Sequence, residues 1–183
     1  MSPRSSQVSK RRLLQFAGSL FIVELIRPLS KVSASLIVNQ DRPYWRFCNK
    51  CYVMFYTDAN SNSCAAGGTH VPQGYEFRLP FGSPETSTAQ QNWRCCKKCQ
   101  AMFFNGYSGK GRCPAGGSHV ADNTFLYVLP HDVPGTPTAQ TDWRFCNKCQ
   151  AMFYDGYPEK GRCAAGGSHV AQGYNFVVLP HSR

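Results

Sequence analysis

The stretch from Trp143 to Val170, WRFCNKCQAMFYDGYPEKGRCAAGGSHV, decides how this chain is read. It carries C-x2-C at Cys146 and Cys149, a third cysteine at Cys163 and a histidine at His169. Two further copies precede it, WRFCNKCYVMFYTDANSNSCAAGGTHV from Trp45 and WRCCKKCQAMFFNGYSGKGRCPAGGSHV from Trp93. The tryptophans stand 48 and 50 residues apart, a period that marks tandem structural repeats. The candidate ligand sets are Cys48, Cys51, Cys64 and His70; Cys96, Cys99, Cys113 and His119; and Cys146, Cys149, Cys163 and His169. Three thiolates and one imidazole form a closed tetrahedral set of the kind that holds structural zinc, so three zinc ions are expected.

A lone C-x2-C carries little weight, since redox motifs and chance both produce it. Here it recurs with a cysteine and a histidine at nearly fixed distances. Three cysteines cannot all pair within one repeat, and disulfides give no reason for the recurring histidine. A disulfide network in an oxidising compartment remains the alternative. Iron or copper suits the same donors, although a closed set without redox apparatus favours zinc. The tenth cysteine, Cys95, stands where the other copies have Phe47 and Phe145, and reads as a small buried apolar residue.

The N-terminal segment, residues 1–34, differs from everything after it. Lys10, Arg11 and Arg12 precede a mostly apolar run from Leu13 to Ile26, interrupted by Glu24. The run is short for a membrane span and fits a signal peptide, with Val32-Ser33-Ala34 supplying small residues before a cleavage site. Ser9 to Gln15 resembles the twin-arginine export motif, with Lys10, Leu13 and Gln15 departing from it. An uncleaved anchor or an amphipathic surface helix is the alternative, and the only membrane contact expected.

The formal net charge of +10 raises the question of nucleic acid. Six of the 20 basic residues and one of the 10 acidic residues precede Ser35, so the remainder carries only +5. Each loaded three-thiolate, one-imidazole site adds about one negative charge, taking the loaded chain to about +2. That is not the electrostatic footprint of a strong phosphate binder, and nucleic acid is not an expected partner.

Repeat modules are expected at residues 44–81, 93–131 and 143–181. Each is too small for an unaided hydrophobic core, so metal must supply folding energy. In the third copy Asp142–Phe145 and Gln150–Tyr154 read as a hairpin around the C-x2-C knuckle, and Tyr174–Leu179 as a last strand. Gly166 and Gly167 are expected to let the backbone curl round the metal without Cβ clashes. The expected class is small all-β, as three tandem zinc-stapled hairpins similar to zinc ribbons. Pro- and Thr-rich connectors suggest beads on a string. A single β-trefoil of three repeats, with the connectors as loops, is the alternative.

Over about residues 44–181 the chain resembles exported bacterial proteins built from tandem WRFCxKC…CxAGGxH modules. The resemblance implies export, to the cell envelope or beyond, and modular repetition. It brings no activity with it.

A closed ligand set leaves no coordination position for substrate, and no nucleophile–base pair lies outside it, so no enzyme is expected. His131 and His181 follow Leu-Pro at repeat ends and read as ordinary terminal histidines. Binding candidates are Tyr107 with Lys110 and Arg112, and Tyr157 with Lys160 and Arg162, in Gly-rich loops. An exposed ring flanked by donors suits a cell-wall or extracellular glycan, or a protein partner. The plainer reading is a loop that packs over its own cage. Copy one lacks these residues. Nucleic-acid binding by a zinc ribbon and envelope zinc buffering are the competing functions.

Overall fold

The computed structural model describes residues 40–57, 62–178 and 181–182. The expected leader lies outside the described residues, and so do residues 58–61 of the first copy's loop. Ten strands and no helix occur among the described residues. They are β1 (Gln40–Cys48), β2 (Met54–Tyr56), β3 (Pro72–Phe81), β4 (Ala89–Cys95), β5 (Met102–Phe104), β6 (Tyr127–Pro130), β7 (Gln140–Cys146), β8 (Met152–Tyr154), β9 (Ala171–Val178) and β10 (His181–Ser182).

Each repeat builds the same antiparallel hairpin across its C-x2-C knuckle. Trp45 faces Tyr56, Trp93 faces Phe104 and Trp143 faces Tyr154. The later strand of each repeat, β3, β6 or β9, then pairs with the hairpin's first strand. The strands read from the third copy are present, with β7 and β9 starting earlier than their sequence signals.

The three hairpins close on one another. Phe55 bridges to Ala101, Phe103 to Ala151 and Phe153 to Val53, which returns the circuit to the first repeat. Backbone N–H groups of Tyr56, Phe104 and Tyr154 donate across these joints to the carbonyls of Gln100, Gln150 and Tyr52. A second circuit joins repeat ends: Phe81 pairs with Tyr127, His131 with Phe176 and His181 with Phe77.

The beads-on-a-string expectation is therefore corrected. The described residues from Gln40 onward form one compact unit, and the connectors are loops of it. The physical reason lies in β2, β5 and β8, whose side chains are needed on both faces. Met54, Met102 and Met152 enter one core with the three tryptophans, while Phe55, Phe103 and Phe153 enter a second core among the cysteines. A strand buried on both faces cannot belong to an isolated bead of about 40 residues, because its second face needs neighbours.

Both cores draw on all three repeats. Each tryptophan is fully buried and packs edge-on against an aromatic ring of another repeat: Trp45 on Tyr127 at 5.1 Å, Trp93 on Phe176 at 5.0 Å and Trp143 on Phe77 at 5.4 Å. Cys95 is buried in this core with its Sγ 3.3 Å from Gln100 Oε1 and is not a member of the neighbouring metal-ligand set. Burial pushes its thiol well above the usual range, as befits an inert packing residue.

Candidate metal centres and aromatic grooves

All twelve expected ligands are buried and fall into three groups, with the ligand atoms of each within 4.8 Å of one another. The knuckle after β1, β4 or β7 supplies two thiols, and the Cys-x-Ala-Gly-Gly loop returns the third thiol and the imidazole. Cys48 and Cys64 Sγ atoms are 3.9 Å apart, as are Cys96 and Cys113, and Cys146 and Cys163. A disulfide requires about 2.05 Å, and all ten cysteines are free. The edge of a tetrahedron with ~2.3 Å zinc–sulfur bonds is about 3.8 Å. His70, His119 and His169 bring Nδ1 to 3.3, 3.5 and 3.5 Å from Cys51, Cys99 and Cys149 Sγ. The donor set and its spacing fit a tetrahedral metal ion, with Nδ1 as the histidine ligand atom.

The titration of each group points the same way. Hydrogen bonds from Cys51 and Cys64 pull the Cys48 thiol far down, while burial and its neighbours push Cys51 up. Burial opposes a charged ring at the three histidines, yet the neighbouring cysteines outweigh it and raise each to about 9. Such a cluster calls for positive charge at its centre, and a divalent ion supplies it while displacing the protons.

The surroundings of the groups carry features that spacing does not reveal. Lys50, Lys98 and Lys148, inside the knuckles, donate to the carbonyls of Gly67, Gly116 and Gly166. Each ammonium ties the two halves of its cage together and sets a positive charge beside it. The histidine rings stack on Phe55, Phe103 and Phe153 at 4.6, 4.8 and 4.7 Å. His70 Nε2 lies 3.2 Å from the Cys99 carbonyl, and His169 Nε2 lies 3.0 Å from the Cys51 carbonyl. With Nδ1 given to metal, Nε2–H donates in each case, so the ligand is oriented by the knuckle of another repeat. His119 Nε2 is buried without a partner.

The glycines of the cage loops act differently from the expectation. A Cβ on Gly166 would meet nothing within 4 Å, but its φ is +96°. The requirement is a left-handed backbone, not room beside the metal. Room is what Gly111 and Gly161 provide. A Cβ on Gly161 would sit 2.5 Å from the Cys51 carbonyl oxygen, and one on Gly111 would sit 2.1 Å from that of Cys149.

The six binding candidates do not converge on one place. Tyr107 and Tyr157 are 53% and 47% exposed and line two grooves between repeats. One groove is formed by Gln90, Phe104, Tyr107, Phe145 and Tyr174; the other by Gln140, Tyr154, Tyr157, Phe47 and Tyr75. These residues correspond one for one. Tyr157 packs 5.8 Å from Tyr52 and 6.1 Å from Phe47, so its loop covers a neighbouring repeat and not its own cage. Lys110 and Lys160 point inward and donate to the carbonyls of Asn105 and Asp155 at 2.6 Å, and to those of Tyr107 and Tyr157, which fixes the loops. Arg112 and Arg162 lie elsewhere, along a cleft with Cys64, Cys113 and Cys163.

His131 and His181 are not idle ends. His131 stacks on Tyr174 at 3.7 Å and His181 on Tyr75 at 3.9 Å, bracing a ring of each groove. Comparison with known protein families, with curated proteins and with solved structures found no match.

Proposed function

We propose that this is an exported, non-enzymatic binding protein: a β-trefoil of three repeats stapled by three structural zinc ions, with its ligand sites in the aromatic grooves of Tyr107 and Tyr157. The observation that carries this reading is the pairing of three buried, closed donor sets with two matching exposed grooves. Four protein ligands complete a tetrahedron, and ions so enclosed build structure instead of activating water. Zinc is the ion that the donors suit best. The circuit of three hairpins supports the trefoil arrangement. The basic and apolar leader supports export, to the cell envelope or beyond it. Exposed tyrosines at the mouths of pre-formed grooves suit an extracellular glycan or protein surface.

The test is retention of the zinc-loaded protein on cell-wall glycan and on envelope protein extracts. Tyr107→Ala with Tyr157→Ala is expected to lower retention at least ~10-fold, the scale of losing two aromatic contacts, while three zinc ions per chain remain by native mass spectrometry. Unchanged retention by the double variant removes the grooves from the function.

A further inference from the structure

The third position of the groove pattern carries its own occupant. Tyr56 and Phe125 correspond to Tyr154 and Tyr75 of one groove and to Phe104 and Tyr174 of the other. Between Tyr56 and Phe125 lies the guanidinium of Arg42, with its central carbon 4.2 Å from both ring centroids. Its Nε and Nη2 donate to the Tyr56 hydroxyl at 3.0 and 2.7 Å. Arg42 stands three residues before Trp45, where the other repeats have Gln90 and Gln140 before Trp93 and Trp143. Those glutamines line their grooves and accept the tryptophan indole N–H at 3.1 and 3.0 Å, whereas Trp45 Nε1 has no partner. In the first repeat an arginine has forgone that bond and entered the aromatic site.

We propose that the groove of Phe47, Tyr75, Tyr154 and Tyr157 receives the guanidinium of an arginine residue in an extended segment of a partner protein. This rests on the reading that the grooves are ligand sites, and names the chemistry one of them takes. Arg42 shows that an arginine carried on a strand fits between two such rings, in a site that has Cys95 in the place of Phe47 and Tyr127 in the place of Phe77. Tyr154 supplies the hydroxyl acceptor that Tyr56 supplies to Arg42, and Phe104 leaves the other groove without it. The charges separate the two grooves further. Around Tyr154 stand Asp142 and Asp155, with Lys160 paired to Asp155 at 2.9 Å; the corresponding residues around Phe104 are Asn92, Asn105 and Lys110. These residues alone sum to one negative charge in the first set and one positive in the second; Arg46 and Arg144 donate alike to the lining carbonyls of Gly74 and Gly173, and Asp132 stands beside the Phe104 groove through His131. The field of Asp142 is felt at Tyr154, whose hydroxyl is pushed up by burial and then by that carboxylate. A planar cation stacked between rings and held by a hydroxyl gains both cation–π and charge-assisted hydrogen-bond terms. His181, stacked on Tyr75 at 3.9 Å, is a further ring at this groove.

The experiment is an NMR titration of the full zinc-loaded chain with N-acetylarginine N-methylamide, followed at the aromatic resonances of Tyr75, Tyr154 and Tyr157. The citrulline analogue, which keeps the planar shape without the charge, and a neutral methyl glycoside are titrated in parallel. Saturable shifts with arginine, at least ~5-fold tighter than with citrulline, are expected from a cation–π contribution. Asp142→Asn, which installs the residue found at Asn92 and keeps an oxygen for the Asn175 Nδ2 donor, is expected to weaken arginine binding about 3-fold or more, with the melting temperature measured alongside. Arg42→Gln, which installs the residue of the other two repeats, is expected to add a saturable shift at Tyr56. Equal binding of arginine and citrulline, or an unaltered affinity in Asp142→Asn, overturns the proposal. Shifts with the glycoside alone overturn it while leaving the grooves as ligand sites. No shift with any probe removes both.

Discussion

The two ends of this molecule have been held to different standards. At the cage end the three repeats are chemically interchangeable: the same four ligands, a lysine across each cage, a phenylalanine under each histidine. At the groove end single positions differ between repeats: Phe104 stands where the others have Tyr56 and Tyr154, and Arg42 where the others have Gln90 and Gln140. Coordination geometry tolerates no substitution, because each ligand is needed to close a tetrahedron. A stacking surface tolerates many. The contrast teaches that the twelve buried cysteines and histidines are held constant by a shared geometry, while the groove positions vary.

The largest effect tests whether the cages are a shared frame or three private ones. A chelator, or His169→Ala, is expected to melt the whole core in one transition, not a third of it. Structural zinc contributes on the order of 10 kcal/mol per site, and His169 also orients itself on the Cys51 carbonyl of the first repeat. Near-ultraviolet circular dichroism against zinc released would report it; three resolved steps would mean that the repeats fold independently.

Next comes the other core. Trp143→Ala removes a fully buried ring packed on Phe77 of another repeat, and a loss of about 3–5 kcal/mol is expected in urea unfolding. Zinc stoichiometry should remain at three, since the cages lie in the other core.

The glycines sharpen the comparison at smaller scale. Gly161→Ala meets the Cys51 carbonyl as well as a positive φ, whereas Gly166→Ala meets only the positive φ. About 1–2 kcal/mol is expected for Gly166→Ala, and a larger loss for Gly161→Ala, read as urea midpoints. Equal losses would mean that the joint between the third and first repeats yields easily.

The smallest effect lies at a loop joint. Asp132 accepts the Asn175 backbone N–H at 3.1 Å, and its carboxyl is held below the usual range by that bond and by His131. A depressed carboxylate pKa stabilises the fold above the unfolded value, near pH 4, and the contribution fades as pH falls through the folded one. The group is exposed, so Asp132→Ala is expected to cost under about 1 kcal/mol at pH 7, measured by thermal melts.

The cages were legible because ligand spacing is a local property: four donor positions within a 23-residue span such as Cys48–His70 identify themselves. The hairpins were legible for the same reason, since Trp143 and Phe145 alternate on a strand bounded by a knuckle. The closure of three hairpins was legible only as an alternative, the single three-repeat domain that the repeat period allows. It depends on edges that meet across repeats, such as Phe153 with Val53, and no local pattern records such a partner. The two-faced burial of β2, β5 and β8 was the available signal: Val53-Met54-Phe55-Tyr56 is apolar at every position, not alternate ones. Arg42 escaped notice because it lies outside the repeated motif, and its meaning appears only beside Tyr56 and Phe125.

The His169–Cys51 bond spans 118 residues, and with the Phe153–Val53 bridge it joins the last repeat to the first. A solenoid can gain or lose a unit and keep its stacking; a circuit closed at three cannot. Removing one repeat leaves two unpaired hairpin edges, and inserting a fourth forces every joint to a new angle. Copy number is thus a fixed quantity here, written into the geometry of the joints. A single copy expressed alone could recover the same arrangement only by assembling with two others of its kind.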